Sequence, residues 1–236
     1  MSTATSVPGV HVRVQNDVVG NAEKRVLIWI AERLPARVTS DRLFALALVS
    51  MAAVGASFAA FPITKWAALG VIAGLVANWF GDSLDGTLAR VRCQQRPRYG
   101  FYVDHAIDIA GTAFLFGGLA CSGVIAPIVA LGLLGAYLLV AAETFLATHA
   151  TAIFRMSFVG IGPTELRLLL IAGALKLLDT PWMSLGSLGP VRLFDLGGGI
   201  AIVGLLIVFV VSAVQNTRAL YAAEPLPARV SQARVG

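Results

Sequence analysis

Residues 82–108 read DSLDGTLARVRCQQRPRYGFYVDHAID. Four of the chain's 13 acidic residues, Asp82, Asp85, Asp104 and Asp108, fall in this one stretch of a 236-residue sequence. Long apolar runs flank it on both sides. Carboxylates in or near a bilayer are costly unless a cation or a water-filled cavity compensates them. The stretch therefore reads as a site, and the runs around it as the membrane fold that carries the site.

Composition agrees. The chain is 57% hydrophobic and 13% charged, with a mean hydropathy of +0.80. A soluble domain carries about 25% charged residues, so an integral membrane protein is expected, built as one helical bundle. The net charge is +5. Its basic residues gather at membrane edges, which is a topology signal rather than a nucleic-acid footprint. Cys93 and Cys121 do not suggest a disulfide framework. No signal peptide is read at the polar N-terminus.

Outward from the aspartates, six spans are expected: about Leu43–Phe61, Trp66–Arg90, Gly100–Val124, Ile125–Phe154, Thr164–Leu178 and Arg192–Val214. The fifth is short for a hydrocarbon core of ~30 Å. Before them, Ala22–Leu34 places Leu27, Ile30, Ala31 and Leu34 at helical spacing, with Trp29 suited to an interface. This predicts an amphipathic helix lying on the membrane surface; a solvated helix with no membrane role is the alternative. The organisation is thus a polar tail over 1–21, a juxtamembrane helix over 22–36, a six-helix domain over 42–217 and a tail over 218–236.

Fifteen Lys and Arg residues fall on one side of these spans, against Lys65, Lys176 and Arg192 on the other. The basic side is cytoplasmic, so both termini and the Arg90–Arg98 loop are expected there.

On a helix, Asp82, Asp85, Gly86 and Ala89 share one broad face, with Arg90 at its edge. Gly100, Asp104 and Asp108 form a single stripe on the next helix. The helices are antiparallel neighbours joined by a short basic loop, so the carboxylates face each other in two pairs. Asp82 and Asp108 make the upper pair, ~12 Å into the bilayer, and Asp85 and Asp104 the lower, ~6–7 Å in. One or two hard divalent cations, Mg²⁺ or Mn²⁺, would relieve the repulsion. Two such ions suit phosphoryl transfer on a nucleoside diphosphate. Gly86 and Gly100 leave room where a ligand or a helix comes close, and Arg90 is placed to hold a phosphate. Pairing of the aspartates with arginines is the competing explanation. It is set aside on depth, because the basic residues gather below the upper pair.

These residues resemble the signature of the CDP-alcohol phosphotransferase family, D-x₂-D-G-x₂-A-R-x₈₋₉-G-x₃-D-x₃-D, and match it at every fixed position. The resemblance implies that a CDP-linked alcohol, often CDP-diacylglycerol, is attacked at its β-phosphate by a hydroxyl, with release of CMP. It implies that Asp82, Asp85 and Asp104 hold two divalent metals. Asp108 would be the general base, possibly touching a metal as well. Gly86 and Ala89 would make room for the cytidine side of the donor, Gly100 would belong to the same donor site, and Arg90 would steady the diphosphate. The expected partners are the CDP-alcohol donor, a hydroxyl acceptor and membrane lipids, with a homodimer possible and nucleic acid excluded. The expected location is a bacterial inner membrane, with the site facing the cytoplasm. Asp104 followed by His105 resembles the choline and ethanolamine phosphotransferase branch, whose acceptor is diacylglycerol, so the direction of the substrate roles stays open.

Several polar residues lie outside the signature. Arg155 and Arg167 are candidates for an acceptor head group or a lipid phosphate, with plain membrane anchoring as the alternative. Glu143 is read as lining an acceptor cavity or bridging to another helix, with His149 two turns nearer the cytoplasm. His105 is read as supporting the metals without ligating them. Gly197, Gly198 and Gly199 are read as close helix packing, and Arg192 with Asp195 as a local ion pair. Two rival functions remain. A divalent-cation transporter would need polar access from both faces, which apolar segments such as 112–118 do not supply. A silent lipid-binding relative would not need all eight signature residues.

Overall fold

The computed structural model describes residues 18–151, 163–184, 186 and 189–224. Seven helices follow one another: α1 (Val18–Arg33), α2 (Ser40–Ala59), α3 (Ala67–Val91), α4 (Pro97–Cys121), α5 (Pro127–Thr151), α6 (Pro163–Leu177) and α7 (Leu193–Ala223). A small antiparallel hairpin, β1 (Trp182–Ser184) and β2 (Pro190–Arg192), joins α6 to α7. It lies where only a loop was expected.

Local chemistry sets the helix ends. Thr39 caps α2, its hydroxyl accepting from the Arg42 amide at 3.3 Å, and Asp41 sits in the first turn, where the helix dipole favours an anion. Proline opens α4, α5 and α6; its missing N–H is one that a first turn leaves unpaired anyway. α3 stops at Cys93, which takes a left-handed φ of 54°. The Cys93 amide donates to the Arg90 carbonyl at 3.1 Å and the Gln94 amide to the Ala89 carbonyl at 2.9 Å, a Schellman closure normally served by glycine. The chain thus reverses within a few residues and sends α4 back along α2.

Among the described residues, four helical segments are long and apolar enough to cross a membrane: Ser40–Ala59, Ala67–Val91, Pro127–Ala150 and Leu193–Ala223. They coincide with the first, second, fourth and sixth expected spans. α4 has 25 residues but carries Asp104 and Asp108. α6 has 15 residues, about 22 Å at 1.5 Å per residue, less than a ~30 Å hydrocarbon core.

α2 packs most closely, against α3 and against α4; α5 packs on α4 and α7, and α1 and α6 on α3. Glycine allows the tightest crossing. A Cβ on Gly118 of α4 would overlap the backbone of Gly55 on α2, and one on Gly55 would overlap the Phe114 carbonyl. The core there is filled by Val54, Phe58, Val71, Leu75, Leu115 and Leu119. Of the three consecutive glycines in α7, Gly198 packs closely, against Val129 and Leu133, whereas Gly197 and Gly199 meet nothing within 4 Å.

α1 spends its apolar face on protein. Leu27 and Ala31 are buried with Leu43, Leu84 and Leu88, while Ile30 and Leu34 pack at the edge of that cluster. The indole N–H of Trp79 donates to Glu23 at 2.8 Å. The amphipathic pattern read as membrane-seeking is therefore largely answered by α2 and α3, leaving Val26 and Trp29 exposed. Arg92 fastens the same corner, donating to the carbonyls of Val38, Leu34 and Pro35.

Candidate active site

The C-terminal half of α3 and the N-terminal half of α4 carry the aspartates. On α3, Asn78, Asp82, Asp85 and Ala89 follow at steps of three and four, hence on one face. Asp85 is buried. One of its carboxylate oxygens, Oδ1, accepts from the neighbouring Gly86 amide. The other, Oδ2, is enclosed and has no hydrogen-bond partner among the described residues. Ser40 of α2 holds the backbone at this point, its hydroxyl donating to the Asp85 carbonyl at 2.9 Å.

α4 carries Asp104 and Asp108 one turn apart. Asp85 lies within electrostatic range of Asp104, and Asp108 within range of Asp82. Asp82 and Asp104 are partly open, with side-chain exposures of 22% and 34%. His105 is clamped between aromatic rings, 4.2 Å from Phe101 and 5.2 Å from Phe145 of α5. Its Nδ1 lies 2.7 Å from the Phe101 carbonyl, so that nitrogen carries the proton and donates. The same nitrogen is 3.8 Å from Asp104.

The other half of the signature lines open space. A Cβ on Gly100 would meet nothing within 4 Å, and one on Gly86 only the Arg90 guanidinium at 3.5 Å. Among the described residues no helix crosses at either glycine. Ala89 is partly exposed beside them. Arg90 folds back onto its own helix, donating to the Thr87 hydroxyl at 3.0 Å, and its side chain stays exposed at the rim.

Arg167 requires a correction. The reading that no arginine reaches the upper aspartates fails, because Arg167 Nη2 donates to Asp82 Oδ2 at 2.5 Å. It sits one turn inside the start of α6, which packs on α3, and the long side chain covers the remaining depth. Depth counted from loop positions ignored that reach.

One buried oxygen of Asp85 lacks any donor among the described residues, and carboxylate oxygens are the ligands a hard divalent cation takes. As placed, no three of the described carboxylate, imidazole or thiol side chains stand close enough to share one ion.

Over residues 33–211 the chain matches the family model described as CDP-alcohol phosphatidyltransferase. The chain belongs to that family. No curated protein matches it. Membership of the CDP-alcohol phosphatidyltransferases makes it a membrane transferase that moves a phosphatidyl-type group from a CDP-alcohol to a hydroxyl. The match takes in α2 to α6 and most of α7, so the whole bundle, and not the aspartate stretch alone, is the family's unit.

The remaining candidates separate clearly. Arg155 lies outside the described residues. Glu143 bridges helices: its carboxylate accepts from Ser212 and Asn216 of α7, both at 2.7 Å. His149 is exposed in the last turn of α5, where a cation is favoured by the dipole. Arg192 and Asp195 do pair, at 4.0 Å, and Asp195 also accepts from the Ala126 amide at 2.5 Å, fastening the turn between α4 and α5. Sequence reasoning missed Asn78, whose amide donates to the Ala47 carbonyl at 3.1 Å and whose oxygen accepts from Arg167 at 2.9 Å. The available signal was a lone asparagine in an apolar run, one turn before Asp82.

Proposed function

We propose that this chain transfers a phosphatidyl or phosphoalcohol group from a CDP-alcohol such as CDP-diacylglycerol to a hydroxyl acceptor in phospholipid synthesis. It works with two Mg²⁺ or Mn²⁺ ions held by Asp82, Asp85, Asp104 and Asp108. The observation that carries this reading is the buried carboxylate oxygen of Asp85 that no donor among the described residues answers, within electrostatic range of Asp82, Asp104 and Asp108. When bound, the ions would offset the charge of the diphosphate and of its leaving group.

The chain's own residues account for the rest. Asp108 takes the proton of the acceptor hydroxyl as that oxygen bonds to the β-phosphorus. The bond from that phosphorus to the oxygen bridging it to CMP then breaks, and CMP departs with the bonding pair. Arg90 at the rim steadies the diphosphate. The open space at Gly86 and Gly100, with small Ala89 beside it, supports a nucleotide approaching the α3 backbone. Arg155 and Arg167 are the residues for an acceptor head group or phosphate. α4 and α6 complete six spans, the basic side faces the cytoplasm, and a bacterial inner membrane is the location that fits. A homodimer is the assembly to test alongside.

The test is CMP release by purified protein after EDTA treatment, using labelled CDP-diacylglycerol and a panel of hydroxyl acceptors. Release should require added Mg²⁺ or Mn²⁺. Full activity in the stripped protein refutes the metal reading. Release from CDP-choline with diacylglycerol, and none from CDP-diacylglycerol, reverses the substrate roles.

A further inference from the structure

Both hydrogen-bond partners of Arg167 lie on α3, one turn apart. Its Nε donates to Asn78 Oδ1 at 2.9 Å and its Nη2 to Asp82 Oδ2 at 2.5 Å. Asn78 is buried and is itself held by the Ala47 carbonyl of α2 at 3.1 Å. The planar fork is therefore oriented by a fixed neutral amide and satisfied in charge by the carboxylate. Only 14% of the arginine side chain is exposed, so solvent screens the pair weakly. One protein cation thus sits on Asp82, where the metal reading places a divalent ion. Two cations cannot both sit against Asp82 without repelling each other.

We propose that Arg167 is the resident counter-ion of Asp82 in the metal-free protein, and that divalent-cation binding competes with this ion pair. The inference rests on the metal-site reading above. It makes Arg167 a positioning residue. Before metal arrives, the guanidinium offsets the charge of Asp82 and ties α6 to α3. When metal arrives, the Asp82 bond gives way while the Asn78 bond keeps the side chain near. There is space for that movement. A groove of about 160 Å³ between α3 and α6 adjoins Arg167, lined by Leu75, Val76, Trp79, Thr164 and Leu168.

The experiment is Mn²⁺ titration without substrate, followed by electron paramagnetic resonance, on detergent-purified wild type, Arg167→Gln and Arg167→Lys. Melting temperatures with and without saturating Mn²⁺ accompany it. Arg167→Gln should bind Mn²⁺ about three- to tenfold more tightly, the equivalent of losing one partly screened ion pair. It should melt lower than wild type without metal and recover most of that loss with Mn²⁺. Arg167→Lys should fall between them, because an ammonium can meet Asp82 but cannot bind Asn78 with the same fork. Unchanged or weaker Mn²⁺ affinity in the variants overturns the inference, as does a melting loss that Mn²⁺ leaves unaltered. If the glutamine variant does not fold, the lysine variant decides by the same affinity criterion. Folded wild type that binds no Mn²⁺ overturns the metal centre itself, and the inference with it.

Discussion

Glycines beside the aspartates fall into two kinds, and alanine substitution should separate them. At Gly81, next to Asp82, a Cβ would lie 2.8 Å from the Leu43 carbonyl oxygen and 2.9 Å from the Ala47 amide nitrogen. Both are backbone atoms of α2 and cannot rotate away. Ordinary contact begins near 3.4 Å, so α2 and α3 must part by about 0.6 Å. Overpacking of this kind costs ~1–3 kcal/mol, and the better helix propensity of alanine offsets about 1 of it. A net loss of up to about 2 kcal/mol lowers the melting temperature by up to roughly 8 °C for a chain of this size. Because a 1 Å misplacement costs ~10²-fold in rate, turnover should fall about tenfold. At Gly100 the same Cβ meets nothing, and at Gly86 only a movable guanidinium. Gly86→Ala and Gly100→Ala should therefore melt as high as wild type or higher by the helix-propensity gain. They should still raise the KM for the CDP-alcohol about tenfold, ~1.4 kcal/mol of lost donor binding. The assay pairs thermal melting in detergent with CMP release against donor concentration. If Gly86→Ala and Gly100→Ala melt as low as Gly81→Ala, or leave donor KM unchanged, the division into packing and ligand glycines is wrong.

Three further outcomes are expected. Asp85→Asn should lose metal and donor binding together, whereas Asp108→Asn should keep both and lose ~10²–10⁴-fold in turnover, the usual worth of a general base. If calorimetry finds donor binding equally lost in Asp108→Asn, Asp108 is chiefly a ligand. Cys93, exposed at the α3–α4 turn, should resist a membrane-impermeant thiol reagent in intact cells carrying a Cys121→Ser background; labelling from outside would invert the topology. Glu143→Leu strands the Ser212 and Asn216 donors and should lower melting by a few degrees, at about 0.6 kcal/mol per polar contact inside a membrane. Turnover below the melting range should be preserved, and a selective loss of turnover would return Glu143 to the acceptor cavity.

Much of this protein is legible along the chain because its determinants are local. Apolar runs mark helices by length and hydropathy. The steps Asp82–Asp85 and Asp104–Asp108 put each pair on one face by the period of a helix alone. The short, proline-closed turn between Arg90 and Gly100 reverses the chain, and α2, which packs on both helices, sets where α3 and α4 lie. The family signature lies within the same stretch for the same reason.

Where an interaction joins distant elements, sequence spacing carried no information. Arg167 lies 85 residues from Asp82, and only the docking of α6 on α3 decides that it is the counter-ion. Asn78 orients it for the same reason. Glu143 could have faced a cavity or a helix, and the choice was made by α7 presenting Ser212 and Asn216 at its level. The amphipathic face of α1 had two possible solvents, lipid and protein; the presence of Leu43, Leu84 and Leu88 opposite it selected protein. Gly81 and Gly86 are the same residue on the same helix, and only the position of α2 makes one a packing contact and the other an opening. Sequence determined which faces exist, because helical periodicity is set by the backbone. Tertiary structure decided what each face meets, because that depends on the mutual fit of helices that are far apart in the chain.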